Sequence, residues 1–202
     1  MSNKLNFLCL IFTFLLCVTD LQAQNFKAGL KAGFCASQVS GDNLSGFDKA
    51  GIVAGAFVAN DFSRKTGLQM EIIFIQKGSR RRVSEDDNSF YRLRLHYAEV
   101  PVLFLFRPSK KITLTGGLSA GVLIHAEEAN QLGVIYNTPP FNKLEISTQL
   151  GIRFILSDHW AADLRHSNSL TTVRDFEGSY NYYYFEKGQY NTAVHLTLHY
   201  TF

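Results

Sequence analysis

YNTAVHLTLHYTF, residues Tyr190 to Phe202, alternates without a break. Tyr190, Thr192, Val194, Leu196, Leu198, Tyr200 and Phe202 fall on one face, and Asn191, Ala193, His195, Thr197, His199 and Thr201 on the other. A period of two marks a β-strand whose faces meet different surroundings. The stretch is also long, and about 9 to 11 residues of tilted strand cross a bilayer.

The same pattern recurs upstream. Leu144, Ile146, Thr148, Leu150, Ile152 and Phe154 alternate with Glu145, Ser147, Gln149, Gly151 and Arg153, and Ile112, Leu114, Leu118, Ala120, Val122 and Ile124 with Thr113, Thr115, Gly117, Ser119 and Gly121. Phe26 to Phe34 sets Lys27 and Lys31 opposite its apolar face, Leu68 to Phe74 sets Gln69 and Glu71, and Trp160 to His166 sets Asp163 and Arg165. In Lys49 to Ala59, Ile52, Ala54, Ala56 and Val58 compete with Val53 and Phe57, so this strand has no readable orientation. A last strand runs from near Phe90 to near Phe106, which makes eight.

Connection lengths alternate too. The joins near Ser37 to Asp48, Gly78 to Ser89, Ala126 to Asn142 and Leu170 to Lys187 are long, and those near Asn60 to Lys65, Arg107 to Lys110 and Ser157 to His159 are short. An even strand count with long outer loops and short periplasmic turns predicts an all-β fold: an eight-stranded, antiparallel, up-and-down transmembrane β-barrel in the cell outer membrane. A soluble lipocalin-like barrel alternates in the same way but turns its apolar face inward around a ligand. Aromatic residues at the strand ends favour the membrane, with Phe26, Phe104, Phe106, Trp160, Tyr200 and Phe202 at the periplasmic level and Phe90, Tyr91 and Tyr190 at the outer level. Val194, Leu196, Leu198, Tyr200 and Phe202 also form an assembly signal for barrel insertion, a pattern that any lipid-facing last strand shares.

Residues 1–23 read as a secretory signal peptide, with Lys4, an apolar run from Phe7 to Val18 and cleavage after Ala23. The run is shorter than the roughly 20 residues of a membrane helix. A lipoprotein reading would acylate Cys17, but the bulky Leu16 precedes it. Residues 24–202 then form one barrel domain, in which Cys35 is the only cysteine, so neither a disulfide nor a cysteine-based metal site follows. The balance of 20 basic against 17 acidic residues is too even for nucleic acid.

The charged faces imply a lumen network of Lys27, Lys31, Glu71, Arg92, Arg94, Glu99, Glu145, Arg153, Asp163 and Arg165. Eight strands leave room only for side chains to fill the interior, so these charges plug the barrel; a proton or ion path is the alternative. The strand ending at Phe106 has a parity problem. With Tyr91, Leu93, Leu95 and Tyr97 towards lipid and Arg92, Arg94 and His96 inward, strict alternation would send Glu99 into hydrocarbon. A β-bulge near Tyr97 and Ala98 would turn Glu99 inward and Val100, Val102, Phe104 and Phe106 outward, beside Pro101.

Gly117-Leu118-Ser119-Ala120-Gly121 fits the G-x-S-x-G of hydrolases, but that serine needs a strand-to-helix turn and this one lies inside a strand. His195 and His199 share a face roughly 13 Å apart, too far for one metal. No catalytic, metal or cofactor site is expected, and the chain reads as non-enzymatic, with a lipid-modifying enzyme using Ser119, Ser147 or Ser167 and a narrow channel as the rivals. Among the loops, Arg80, Arg81 and Arg82 followed by Glu85, Asp86 and Asp87 fit either lipopolysaccharide phosphates or a solvated tip. Tyr180, Tyr182, Tyr183, Tyr184 and Phe185 form either a recognition surface or a raised aromatic girdle.

LQMEIIFIQKG (Leu68 to Gly78), YAEVPVLFLF (Tyr97 to Phe106), GGLSAGVLI (Gly116 to Ile124) and the terminal HYTF together resemble the PorT-like family of outer-membrane β-barrel proteins, over essentially the whole mature chain. The most specific parts are Gln76 to Gly78 and Glu99 to Pro101. The resemblance implies a small eight-stranded barrel, and the founding member's association with a protein secretion system implies an accessory role in an envelope assembly. It brings no catalytic residues. Expected partners are outer-membrane lipid and lipopolysaccharide, the barrel-assembly machinery during insertion, and secretion-system proteins.

Overall fold

In a computed structural model, which describes residues 26–42, 44, 46–81, 89–135, 139–175, 182–183 and 186–202, eight long strands follow one another. They are β1 (Phe26–Ser40), β2 (Lys49–Asp61), β3 (Thr66–Arg81), β4 (Tyr91–Phe106), β5 (Ile112–Asn130), β6 (Leu144–Ile155), β7 (Trp160–Ser169) and β8 (Tyr190–Thr201). Each pairs antiparallel with the next, and β8 returns to β1, with Gly29 opposite Thr201 and Ser40 opposite Tyr190. The closed sheet has no free edge, which a bilayer demands because hydrocarbon cannot hydrogen-bond a bare strand. Three two-residue strands, Gly133–Val134, Tyr182–Tyr183 and Glu186–Lys187, are the others among the described residues. The expected leader lies outside the described residues, as do Arg82, Glu85, Asp86, Asp87, Tyr180, Tyr184 and Phe185.

Residues 62–65, 107–111 and 156–159 make short turns at one end, the periplasmic end in barrels of this kind. Two of these turns close on their own backbone: Phe62 and Ser63 donate to the Thr66 carbonyl (3.0 and 3.1 Å), and Leu156 and Ser157 to that of Trp160 (2.9 and 3.1 Å). On β4, Ala98, Val100, Val102, Phe104 and Phe106 point outward. That run covers about 26 Å of strand, or about 20 Å of height once tilted. Around the barrel Phe34, Ile72 and Leu150 are 75, 66 and 65% exposed, an apolar ring that only lipid can cover.

The strand that could not be oriented from its residues, β2, buries Val53 and Phe57 and exposes Ile52, Ala54, Ala56 and Val58. Phe57 packs against the His199 ring, 5.2 Å between centroids. It lies so close to β1 that a Cβ on Gly29 would come within 2.5 Å of its ring.

The outer half of β4 is the reverse of the expectation. Leu93, Leu95 and Tyr97 are fully buried inside, while Arg92, Arg94 and His96 lie on the exterior. Alternation through β4 is therefore strict, and Glu99 faces inward without any bulge in its own strand. The bulge exists, but on the neighbour: His96 pairs with His125 and Tyr97 with Leu123, so Ile124 is the extra residue of β5. Ile124 and His125 are both exposed as a result, and the inward positions beyond them pass to Glu128. The aromatic girdle is present at the periplasmic end, where the rings of Trp160 and Tyr200 lie 4.9 Å apart. At the outer end two of the three expected residues do not contribute: Tyr190 is 1% exposed, and the Tyr91 hydroxyl donates to Glu128 (2.6 Å).

Candidate functional site: the barrel lumen and its rims

Nearest the periplasm, the lumen holds one connected ion network. Glu71 on β3 takes both arms of the Arg165 guanidinium, 2.9 Å each, and the Lys31 ammonium at 2.9 Å. Asp163 accepts from Arg165 at 3.2 Å and from Nε and Nη2 of Arg153 at 3.0 Å. Arg153 also donates to Gln69 (2.9 Å), whose amide nitrogen reaches back to Glu71. Forked guanidinium contacts satisfy both charge and hydrogen-bond geometry in a dry interior. Gly151, opposite Arg165, leaves the room: a Cβ there would sit 3.2 Å from the Arg165 side chain.

A second cluster lies outward of the first, with Lys77 between Glu99 and Glu145. Asn191 donates to Glu145 (2.7 Å), Ser119 to Glu99 (3.2 Å), and the Lys77 ammonium stands 5.3 Å from the centre of the Tyr97 ring. The inner network has one cation more than its carboxylates and the outer cluster one carboxylate more than its cation, so the two surpluses cancel. Lys77 belongs to the Gln76–Gly78 motif and Glu99 to the Glu99–Pro101 motif, so the two most specific signatures of the sequence meet in one ion pair. Gly78 itself has φ 137°, a conformation open to glycine and rarely to other residues.

Apolar side chains on the β1–β4 wall fill the lumen beside and beyond this cluster. Val53, Ile73, Ile75, Leu93, Leu95, Tyr97, Cys35 and Val39 pack with Val173 from the last outer loop. Beside them Arg174 binds Glu128 (2.6 Å) and lies 3.7 Å over the Phe141 ring, so the loop folds back into the mouth.

Of the lumen residues expected from sequence, Lys31, Glu71, Glu99, Glu145, Arg153, Asp163 and Arg165 are brought together inside. Lys27 is not: it sits at the periplasmic mouth, paired with Asp61 at 3.0 Å, its side chain 55% exposed. Arg92 and Arg94 are on the exterior, sharing Glu127 at 3.4 and 3.3 Å. With exposed Arg80, paired opposite Arg92, they form a basic patch just above the apolar band, beside His96 and His125. Arg81 donates to Ser89 (2.8 Å), and Tyr182 and Tyr183 pair with Lys187 and Glu186 in a short hairpin.

Lys77 was missed as a lumen residue, and Gln69 and Asn191, on inward faces as expected, join networks that the sequence reading did not include them in. The signal for Lys77 was available, since Ile75, Lys77 and Ser79 continue the inward parity of Glu71 and Ile73. On β8, Leu196, Leu198 and Phe202 are exposed on the lipid side, and Val194 and Tyr200 are half-buried there. Ser119 and Ser147 are opposite each other on β5 and β6. Ser147 accepts from Gln149 (3.3 Å), and Ser167 donates to the Ala193 carbonyl (3.5 Å).

The fold is shared with solved outer-membrane barrels. Ail, the attachment invasion locus protein of Yersinia pestis, solved in complex with the heparin analogue sucrose octasulfate, is 14% identical, with 88% of this chain and 99% of that one covered and a TM-score of 0.52. Neisserial surface protein A is 7% identical, with 87% and 97% covered and a TM-score of 0.54. No curated protein matches this chain. Over residues 22–175 the sequence matches the model of the outer membrane protein beta-barrel domain, and with a closed eight-stranded barrel behind that match, the chain belongs to this family of outer-membrane proteins.

Proposed function

We propose that this protein is a non-enzymatic, non-conducting outer-membrane barrel that acts from its two ends as an accessory of an envelope assembly. The observation that carries the reading is the filled lumen: among the described residues, two buried ion clusters and a packed apolar cluster occupy the barrel interior. An ion entering such an interior would have to separate paired charges or lose its water against leucine side chains. The PorT-like resemblance, centred on residues that form the Lys77–Glu99 pair, supports protein secretion as the assembly. Support for a non-enzymatic reading comes from Ser119, Ser147 and Ser167, whose described hydrogen bonds go to Glu99, Gln149 and a backbone carbonyl rather than to a histidine base. The basic patch of Arg80, Arg92 and Arg94 fits the phosphates of lipopolysaccharide in the outer leaflet.

Planar-bilayer recording on the purified protein tests the reading. Silent membranes are expected, and a steady single-channel current would sink it. Lipid A from cells carrying Ser119→Ala, Ser147→Ala and Ser167→Ala together, profiled by mass spectrometry, tests the enzymatic rival; a changed lipid pattern would favour the enzyme.

A further inference from the structure

The periplasmic mouth opens into a cavity of about 660 Å³ that reaches from the short turns to the floor formed by the inner ion network. That volume falls in the range of about 300–1,000 Å³ typical of ligand sites. Its walls carry Lys27, Arg64, Lys65, Arg107, Lys110 and Arg153, against Asp158 as the one acidic side chain among the lining residues. These cations differ in how far they are already engaged. Arg153 is committed to Asp163 and Gln69, and Lys27 and Arg107 share Asp61 at 3.0 and 2.6 Å. Arg64, Lys65 and Lys110, on two adjacent turns, have no ion-pair partner among the described residues. The turns are tied into one arc by the Arg107 amide, which donates to the Lys65 carbonyl at 2.8 Å.

The floor adds an independent observation. His199 lines the cavity at 1% exposure, and its Nδ1 is buried without a hydrogen-bond partner. Its Nε2 stands 3.2 Å from the Thr197 hydroxyl. With the Thr197 hydroxyl donating to Nε2, which also lies 3.8 Å from the Asp163 carboxylate, the neutral ring carries its proton on Nδ1. A buried polar atom of this kind is costly unless something meets it.

We infer that this cavity docks an acidic segment of a periplasmic partner protein, with carboxylates on the Arg64, Lys65 and Lys110 arc and the inner end of the segment against His199. A compact phosphate fits less well, because the free cations belong to two separate turns around the rim. Phe57, Leu105 and Ile155 add apolar wall that a peptide would cover and a bare phosphate would not. The inference rests on the accessory reading above and names the kind of partner for its periplasmic end.

Binding is read by isothermal titration calorimetry, because Trp160, the chain's single tryptophan, has its ring in the lipid-facing girdle. The full protein in lipid nanodiscs is titrated with an oligoglutamate peptide, with oligoglutamine and inorganic phosphate as parallel arms. A saturable response to oligoglutamate alone is expected, weakening as salt screens the exposed charges. Arg64→Gln, Lys65→Gln and Lys110→Gln combined should weaken it about tenfold while leaving urea stability unchanged. No response to oligoglutamate, an equal response to oligoglutamine, or phosphate binding as tightly as the peptide would each overturn the inference. A silent barrel that ignores the peptide sinks only this inference, whereas a conducting one sinks the reading beneath it.

Discussion

Arg165 and Arg94 are both arginines that follow a leucine on strands of one barrel, yet they live in opposite worlds. Arg165 is fully enclosed and bound to two carboxylates; Arg94 is on the outer surface, sharing one carboxylate with Arg92. At the level of the bilayer the exterior is hydrocarbon, so a cation must turn inward and bring its counter-charge with it. Above the bilayer the exterior is water and headgroup, and the constraint is lifted. The face a charged residue takes is thus set by its depth as well as by its polarity.

Breaking the interior member of the comparison should have the largest effect. Glu71→Ala leaves Arg165 and Lys31 without their main counter-charge, and such a loss costs about 3–5 kcal/mol. Urea unfolding from lipid vesicles, followed through Trp160, measures it; a loss below about 1 kcal/mol would mean that water reaches the network.

Somewhat smaller is the effect expected at Leu95. Leu95→Ala should cost about 2–5 kcal/mol because the void it leaves is enclosed. Val100→Ala, on the lipid side of the same strand, should cost less, since acyl chains can fill the gap. Equal losses in the same unfolding assay would place Leu95 outside the packed lumen.

Gly121→Val comes next, at about 1–3 kcal/mol of overpacking, because a Cβ there would stand 2.9 Å from Cγ of Glu99. Shortening the neighbour in the double variant Gly121→Val, Glu99→Asp should recover less than the full loss, since the Lys77 pair is weakened at the same time. Full additivity in that cycle would mean that the two sites do not touch. Arg94→Gln should be the mildest, within about 0.5 kcal/mol of the parent, while co-sedimentation with lipopolysaccharide declines. A stability loss like that of Glu71→Ala would place Arg94 in the interior after all.

Eight strands, their alternating connections and the closure of the barrel were legible because period-two patterns are robust wherever one face meets lipid. The inward placement of Lys31, Glu71, Arg153, Asp163 and Arg165 followed from the same rule. Arg92 and Arg94 were misplaced because that rule was applied above the lipid, where Leu93 and Leu95 seek the interior instead. Lys77 was lost when its strand was ended at Phe74. In β2, alanine and glycine carry too little polarity contrast to reveal a face, and packing between Phe57 and Gly29 decides it. The periplasmic cavity was illegible for another reason: Arg64, Lys65 and Lys110 come to share one rim only once adjacent turns are brought side by side.

The inversion of β4 has a mechanical consequence. With leucines and Tyr97 inside and arginines outside, the uppermost storey is built like an ordinary water-soluble domain on top of a lipid-soluble base. Its rigidity does not depend on acyl chains, so the upper ends of β3, β4 and β5 keep their spacing when the membrane around the base thins or changes composition.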